Sequence, residues 1–337
     1  MKKILCCLMS LVLVSWIMNA YGAADDCEAD GAVEFLCGPV SPEDLAQIPN
    51  SPWIVASGME DDGYLYFTNS DSLDSFAVYP VSNAQHELRS RYSDCPGPEM
   101  SGFRPHGINL VPGDEGAHTL LVVRHGARES IEVFEIEETA STPTITWVGC
   151  VIAPGDVVFN SVVATPDAGM AATHMQLPMG ALYEWQESTG WLQVPGSESP
   201  GPNGIEISPD GNWFYIGGWG TRSIIKLSRG QSDVVVDSVD LSHHVDNVRW
   251  AADGSLLAAG HVGPETSSIF SCLSQQQCEG VSTRVTRVDV NNLTAREIIN
   301  YPSNSLFLLG TVAIEVGDEV WVGGIAGSDR IARFEYR

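Results

Sequence analysis

Short apolar runs alternate with turn signals along the chain, and no long stretch repeats its hydrophobic residues at helical spacing. HTLLVV, SIEVFEI, WFYIGGW, SIIKLS and EVWVGG are typical: β-branched and aromatic residues, bounded by Gly, Pro, Asn or Asp. Such runs predict strands, and the chain reads as all-β. In GPNGIEISPDG, Asn203 stands seven residues before Asp210 of the turn. The same spacing sets Asp246 before Asp253, Asn160 before Asp167, His106 before Gly113, Glu43 before Asn50 and Thr311 before Asp318. Each unit is a polar residue, a short apolar strand, a turn and a second apolar strand. The six starts are separated by 63, 54, 43, 43 and 65 residues, against about 40–50 residues for a propeller blade. The pattern predicts a six-bladed β-propeller with a central metal-binding tunnel, the longer intervals carrying insertions and the ring closing by pairing strands from the two chain ends. A sandwich or split barrel is the alternative.

The innermost strand of each blade lines the channel, so a shared register makes one ring: Glu43, His106, Asn160, Asn203, Asp246 and Thr311. The following residues are Asp44, Gly107, Ser161, Gly204, Asn247 and Val312. Turn formation does not explain polar groups at the start of apolar inner strands, and two buried carboxylates need a counter-charge. Glu43 and Asp246 supply charge, while Asn160, Asn203 and Asn247 supply neutral oxygens. Oxygen-only donors of this number suit Ca²⁺ better than Zn²⁺ or Mg²⁺.

MKK followed by ILCCLMSLVLVSWIM and the small residues of NAYGAAD reads as a secretory signal over residues 1–23, ahead of one domain over 24–337. The expectation is an exported protein, periplasmic or secreted, with no stable membrane association after cleavage. Without Lys2 and Lys3 the chain carries 15 basic and 43 acidic residues, a balance of −28. Such a surface repels nucleic acid and anionic membrane and favours cations. Acidic stretches such as MEDDG read as solvated loop tips. Beyond the signal lie Cys27, Cys37, Cys95, Cys150, Cys272 and Cys278, an even set that suggests disulfides in an exported chain. Cys272 and Cys278 bracket LSQQQ and read as one bridge; among the remaining pairings, Cys95–Cys150 with Cys27–Cys37 is the favoured choice. No CxxC pair points to zinc.

EDLAQIPNSPWIVASGM, FRPHGI, VVRHG, FNSVVATPDAG, PNGIEISPDGNWFYI, VDNVRW and GTVAIEVGDEVWVGG occur in order from Glu43 to near the C-terminus. This series resembles the paraoxonases, within the wider senescence marker protein/gluconolactonase superfamily. The resemblance implies a six-bladed propeller that holds calcium in its tunnel and hydrolyses lactones and aryl esters. Glu43, Asn160, Asn203, Asp246 and Asn247 fall on the family's catalytic-calcium ligands, the set already selected by register. His106 and His125 fall on its histidine dyad, with His106 as the base that activates water and His125 assisting. A second, structural calcium in that family would draw on Asp44 and the Ile108 carbonyl, but Ser161 stands where a third ligand, an aspartate, would be. One of His243, His244 and His261 is expected to border the substrate mouth, and His174, at the equivalent strand end of the third blade, could also face it; none is assigned a catalytic role. No GxSxG elbow supports a serine hydrolase. A sugar lactonase of the gluconolactonase type, or a non-enzymatic propeller that holds calcium for stability and binds a ligand or protein, are the rival readings.

Overall fold

The computed structural model describes residues 27–336; the expected signal at 1–23 lies outside the described residues. Six sheets, antiparallel but for one short added strand, surround one axis as the blades of a propeller. Their innermost strands are Pro42–Gln47, Phe103–Val111, Val162–Ala164, Pro202–Ile207, His244–Trp250 and Leu309–Val316. These touch one another in cyclic order, the last meeting the first. The sixth blade takes its outermost strand from the N-terminal side: Glu34–Cys37 pairs antiparallel with Arg330–Glu335. That pairing closes the ring, as the chain-end expectation requires.

Blades pack face to face, so alternate residues of one strand serve two neighbours. Val55 joins Ile108, Leu120 and Phe134 between the first and second blades. Its neighbours Ile54 and Ala56 join Val312, Ile314 and Trp321 between the first and sixth. Four comparable apolar clusters fill the remaining interfaces. Burial on both faces explains why the strands read as nearly continuous apolar runs.

The long intervals do carry insertions. Residues 80–102 add a short strand, Gln85–His86, parallel to Thr144–Ile152. In the fifth blade an α-helix, Thr266–Gln275, interrupts the all-β pattern. The structure pairs Cys27–Cys37, Cys95–Cys150 and Cys272–Cys278. The last bridge was expected across a plain loop; Cys272 instead sits in the final turns of this helix and Cys278 just beyond it. Helical periodicity is hard to see there because only Ile269 and Cys272 of the helix are buried. Among the described residues no helix is long and apolar enough to cross a membrane.

Candidate active site

Every ring residue sits on an irregularity of its inner strand. Register shifts fall between Pro42 and Asp44, Pro105 and Ile108, Pro202 and Ile205, Val245 and Val248, and Gly310 and Val312. In the third blade Asn160 donates its N–H to the Thr173 carbonyl while Thr173 donates to Ser161, the same two-against-one arrangement just ahead of the strand. A bulge leaves one residue unpaired and turns its side chain away from the regular pleat. This is the local reason that a polar residue opens each apolar strand: the bulge aims it at the axis. Gly107 and Gly204 let the strands converge. A Cβ on Gly107 would lie 2.6 Å from the Asn160 carbonyl oxygen, and one on Gly204 would lie 2.6 Å from the Asn247 Cα.

Glu43, Asn160, Asn203, Asp246 and Asn247 are all buried, and side-chain contacts link neighbouring blades around the ring. Asn247 Nδ2 donates to Glu43 Oε1 at 2.6 Å, and Thr311 Oγ1 donates to the Glu43 carbonyl at 2.6 Å. Asn160 Nδ2 lies 3.4 Å from His106 Nε2, which is 3.7 Å from Glu43 Oε1. With the Asn160 and Asn247 amide nitrogens so occupied, four ring oxygens are buried with no hydrogen-bond partner: Glu43 Oε2, Asn160 Oδ1, Asn203 Oδ1 and Asn247 Oδ1. Leaving such an atom unmet costs about 1–3 kcal/mol. Burial, and then the charges of Asp44 and Asp246, hold the Glu43 carboxyl well above its usual range. Burial pushes Asp246 up to about 7, an effect the Asn203 side chain partly offsets and the Asp44 charge adds to. Two carboxylates whose charge burial disfavours, beside three unmet carboxamide oxygens, are donors of the kind a hard cation could use, and Ca²⁺ takes six to eight oxygens. Among the described residues no group of three or more His, Cys, Asp or Glu side chains converges as a metal site. The convergence here depends on carboxamides as much as carboxylates.

The two predicted histidines meet. His106 Nδ1 is 2.8 Å from His125 Nε2, and His125 Nδ1 is 2.7 Å from Glu129 Oε2. The network assigns the tautomers: a carboxylate only accepts, so His125 carries its proton on Nδ1 and accepts from His106 Nδ1–H. His106 Nε2 is then left as a lone pair beside Glu43 and Asn160. Burial, then the neighbouring His125 and Arg104, hold His106 well below the usual histidine range, so the ring is neutral near pH 7. Glu129 was not picked out from sequence. Its signal is positional: Arg124 pairs with Ser130 across a tight hairpin, which places residues 125 and 129 on either side of the turn.

Asp44 has a different neighbourhood. Its Oδ2 accepts from Ile108 N–H at 2.8 Å and pairs with the Arg249 guanidinium, which also donates to the Ile108 carbonyl at 2.7 Å. Arg249 too was not singled out, although strand alternation places it on the same side as Asn247. Of the other histidines, His261 lies closest to the ring, with Nδ1 3.9 Å from Asp246 Oδ2. Trp219 Nε1 donates to His261 Nε2 at 3.1 Å, and burial pushes His261 down to about 4. His244 stacks on Trp219, His243 faces the Ala258 carbonyl, and His174 is tied to Val158 and Gln176. A surface cavity of 720 Å³ by Gln276, Arg284, Asn300 and Asp329 holds none of the ring residues.

No family model matches the chain. Human serum paraoxonase/arylesterase 1 is 26% identical over 189 residues, which cover 52% of each protein. The match thus spans about half the length of that relative. The chain is similar to the paraoxonases. Two solved propellers share its fold: a calcium-binding regucalcin from Agrobacterium tumefaciens (TM-score 0.52, 12% identity, 90% of this chain and 92% of that one) and a luciferin-regenerating enzyme (TM-score 0.54, 11% identity, 90% and 94%). At 12% and 11% identity, these two likenesses bear on the propeller fold.

Proposed function

We propose that this protein is an exported, calcium-dependent hydrolase of lactones or aryl esters. The observation that carries the proposal is the set of four unmet oxygens, on Glu43, Asn160, Asn203 and Asn247, beside a histidine whose lone pair faces them. These side chains, with the Asp246 carboxylate, would hold the ion. When bound, calcium would supply Lewis-acid polarisation of the substrate carbonyl, a contribution of several kcal/mol. The similarity to a human enzyme named paraoxonase/arylesterase and to a calcium-binding regucalcin supports the same choice.

His106 Nε2 accepts the proton of the attacking water. It is suited to this because it is neutral, sits 15% exposed at the edge of the ring, and cannot take the proton at Nδ1, which already carries one. As His106 becomes positive, His125 accepts a stronger hydrogen bond from Nδ1–H, and the Glu129 carboxylate at 2.7 Å spreads the charge toward solvent. Burial of Glu43, Asn203 and Asn247 keeps bulk water from competing for the same oxygens. Three disulfides support an oxidising compartment, in line with a leader at residues 1–23.

The test is turnover of a panel of lactones and aryl acetates by the purified protein, with EDTA and with calcium restored. Calcium-dependent hydrolysis that is lost in His106→Gln is the expected result. Calcium binding without turnover of any ester would instead leave a propeller that holds the ion for stability.

A further inference from the structure

We propose that Arg249 is a built-in cation that fills a second cation position in the tunnel, so that the protein takes one calcium ion rather than two. The inference rests on the calcium reading of the ring and adds a count to it.

The guanidinium sits in a shell of oxygens. Nη2 pairs with Asp44 Oδ2 and donates to the Ile108 carbonyl at 2.7 Å; Nη1 donates to the Val248 carbonyl at 2.7 Å. Nε reaches the Leu45 carbonyl at 3.5 Å, and Glu206 Oε1 stands 3.5 Å from Nη1. Two carboxylates and three carbonyls around one positive charge are the donors that a hard cation would use. Asp44, Glu206 and Arg249 are all buried residues, yet none of them contributes a fully buried side-chain atom that lacks a partner. The contrast with the ring one to three residues earlier on the same strands is direct: there oxygens are buried without a donor, and here a planar fork engages them. Arg249 also lines a cavity of 320 Å³ on the side away from the ring residues Glu43 and Asn247, neither of which lines it. Gln47, Asn109, Glu206, Trp250 and Glu315 are among its other lining residues. A tethered guanidinium cannot be removed by a chelator, so this half of the tunnel should keep its charge balance when calcium is withdrawn.

The test counts ions. Wild type, Arg249→Lys and Arg249→Ala are stripped with EDTA, dialysed against calcium, and the metal per chain is measured alongside thermal melting. The expected counts are one ion for wild type, one for Arg249→Lys, which keeps a cation in place, and two for Arg249→Ala. In EDTA the alanine variant should melt about 5–10 °C lower than wild type, the shift that loss of a buried partner implies for a chain of this size. Millimolar calcium should reverse most of that shift. Two ions in wild type, an unchanged count in Arg249→Ala, or an alanine variant that fails to fold at any calcium concentration would each overturn the proposal. One ion in both proteins would do so while leaving the ring's calcium intact. No ion in wild type but one in Arg249→Ala would uphold the role of Arg249 and remove the calcium reading of the ring.

Discussion

Glu43 and Glu132 are both 1% exposed, yet they sit in opposite kinds of surroundings. Glu132 lies in the third strand of the second blade, and both its oxygens are doubly engaged. Oε1 accepts from Arg128 Nε and Ser130 Oγ, at 2.9 and 2.7 Å. Oε2 accepts from Arg128 Nη2 and Trp147 Nε1, at 2.9 and 2.7 Å, and Arg124 Nη1 stands 3.6 Å from Oε1. Glu43 receives one donor on Oε1, and its Oε2 has none. Burial alone therefore does not mark a functional carboxylate. What separates the two is whether the protein itself supplies the partners, and that contrast turns into opposite predictions.

The largest effect on stability is expected at the satisfied glutamate. Glu132→Gln leaves Arg124 and Arg128 without their shared counter-ion, and Arg124 is itself 1% exposed. Losing one partner of a buried ion cluster costs about 3–5 kcal/mol, to be read from denaturant unfolding. Calcium affinity should not move, because Glu132 has no contact with the ring. A stability loss below 1 kcal/mol would show that the cluster is not what holds the second blade together.

Glu43→Gln should do the reverse. Removing a charge that burial already disfavours leaves melting in EDTA unchanged or slightly higher. Calcium affinity falls by about 10²–10³-fold, since ligand charge sets calcium binding, and calorimetric titration reads this directly. Equal destabilisation of the two glutamine variants in EDTA would erase the distinction between the two glutamates. Next in size is His106→Gln, for which ester turnover should drop about 10²-fold, as for a lost general base, with calcium affinity nearly unchanged. A fall in calcium affinity matching the fall in turnover would instead make His106 a support for the ring.

The same contrast explains how much the sequence could disclose. The six-fold unit was legible because a bulge must be followed at once by the apolar strand it interrupts. Asn203 before GIEI and Asp246 before NVRW therefore share one register, and the candidate ring residues followed from it. His125 was legible only through the resemblance; by pattern it merely ends a strand, and the pairing of Arg104 with His125 brings it beside His106. Glu129 and Arg249 were out of reach. Glu129 looks like one more acidic residue at a hairpin in a strongly acidic chain. Arg249 gains its meaning from Asp44 and Ile108, more than a hundred residues away in sequence. The helix at Thr266–Gln275 was missed because its serine-rich turns bury too little to leave a periodic stripe.

Glu129 gives the smallest and most discriminating prediction. It is 34% exposed on its side chain, so its charge is partly screened by water. In Glu129→Gln the amide oxygen can still accept from His125 Nδ1–H, which preserves the tautomers and leaves His106 Nε2 as the lone pair. Only the negative charge behind the relay is lost. The expected cost is about tenfold in kcat, roughly 1.4 kcal/mol of transition-state stabilisation, with KM and calcium affinity unchanged. Glu129→Leu removes the acceptor as well, and frees His125 to take either tautomer, so it should lose more turnover than the glutamine variant. If both variants fall equally, the charge matters and the orientation does not. If neither changes kcat, the relay ends at His125, and Glu129 belongs with Glu132 among the carboxylates that serve structure alone.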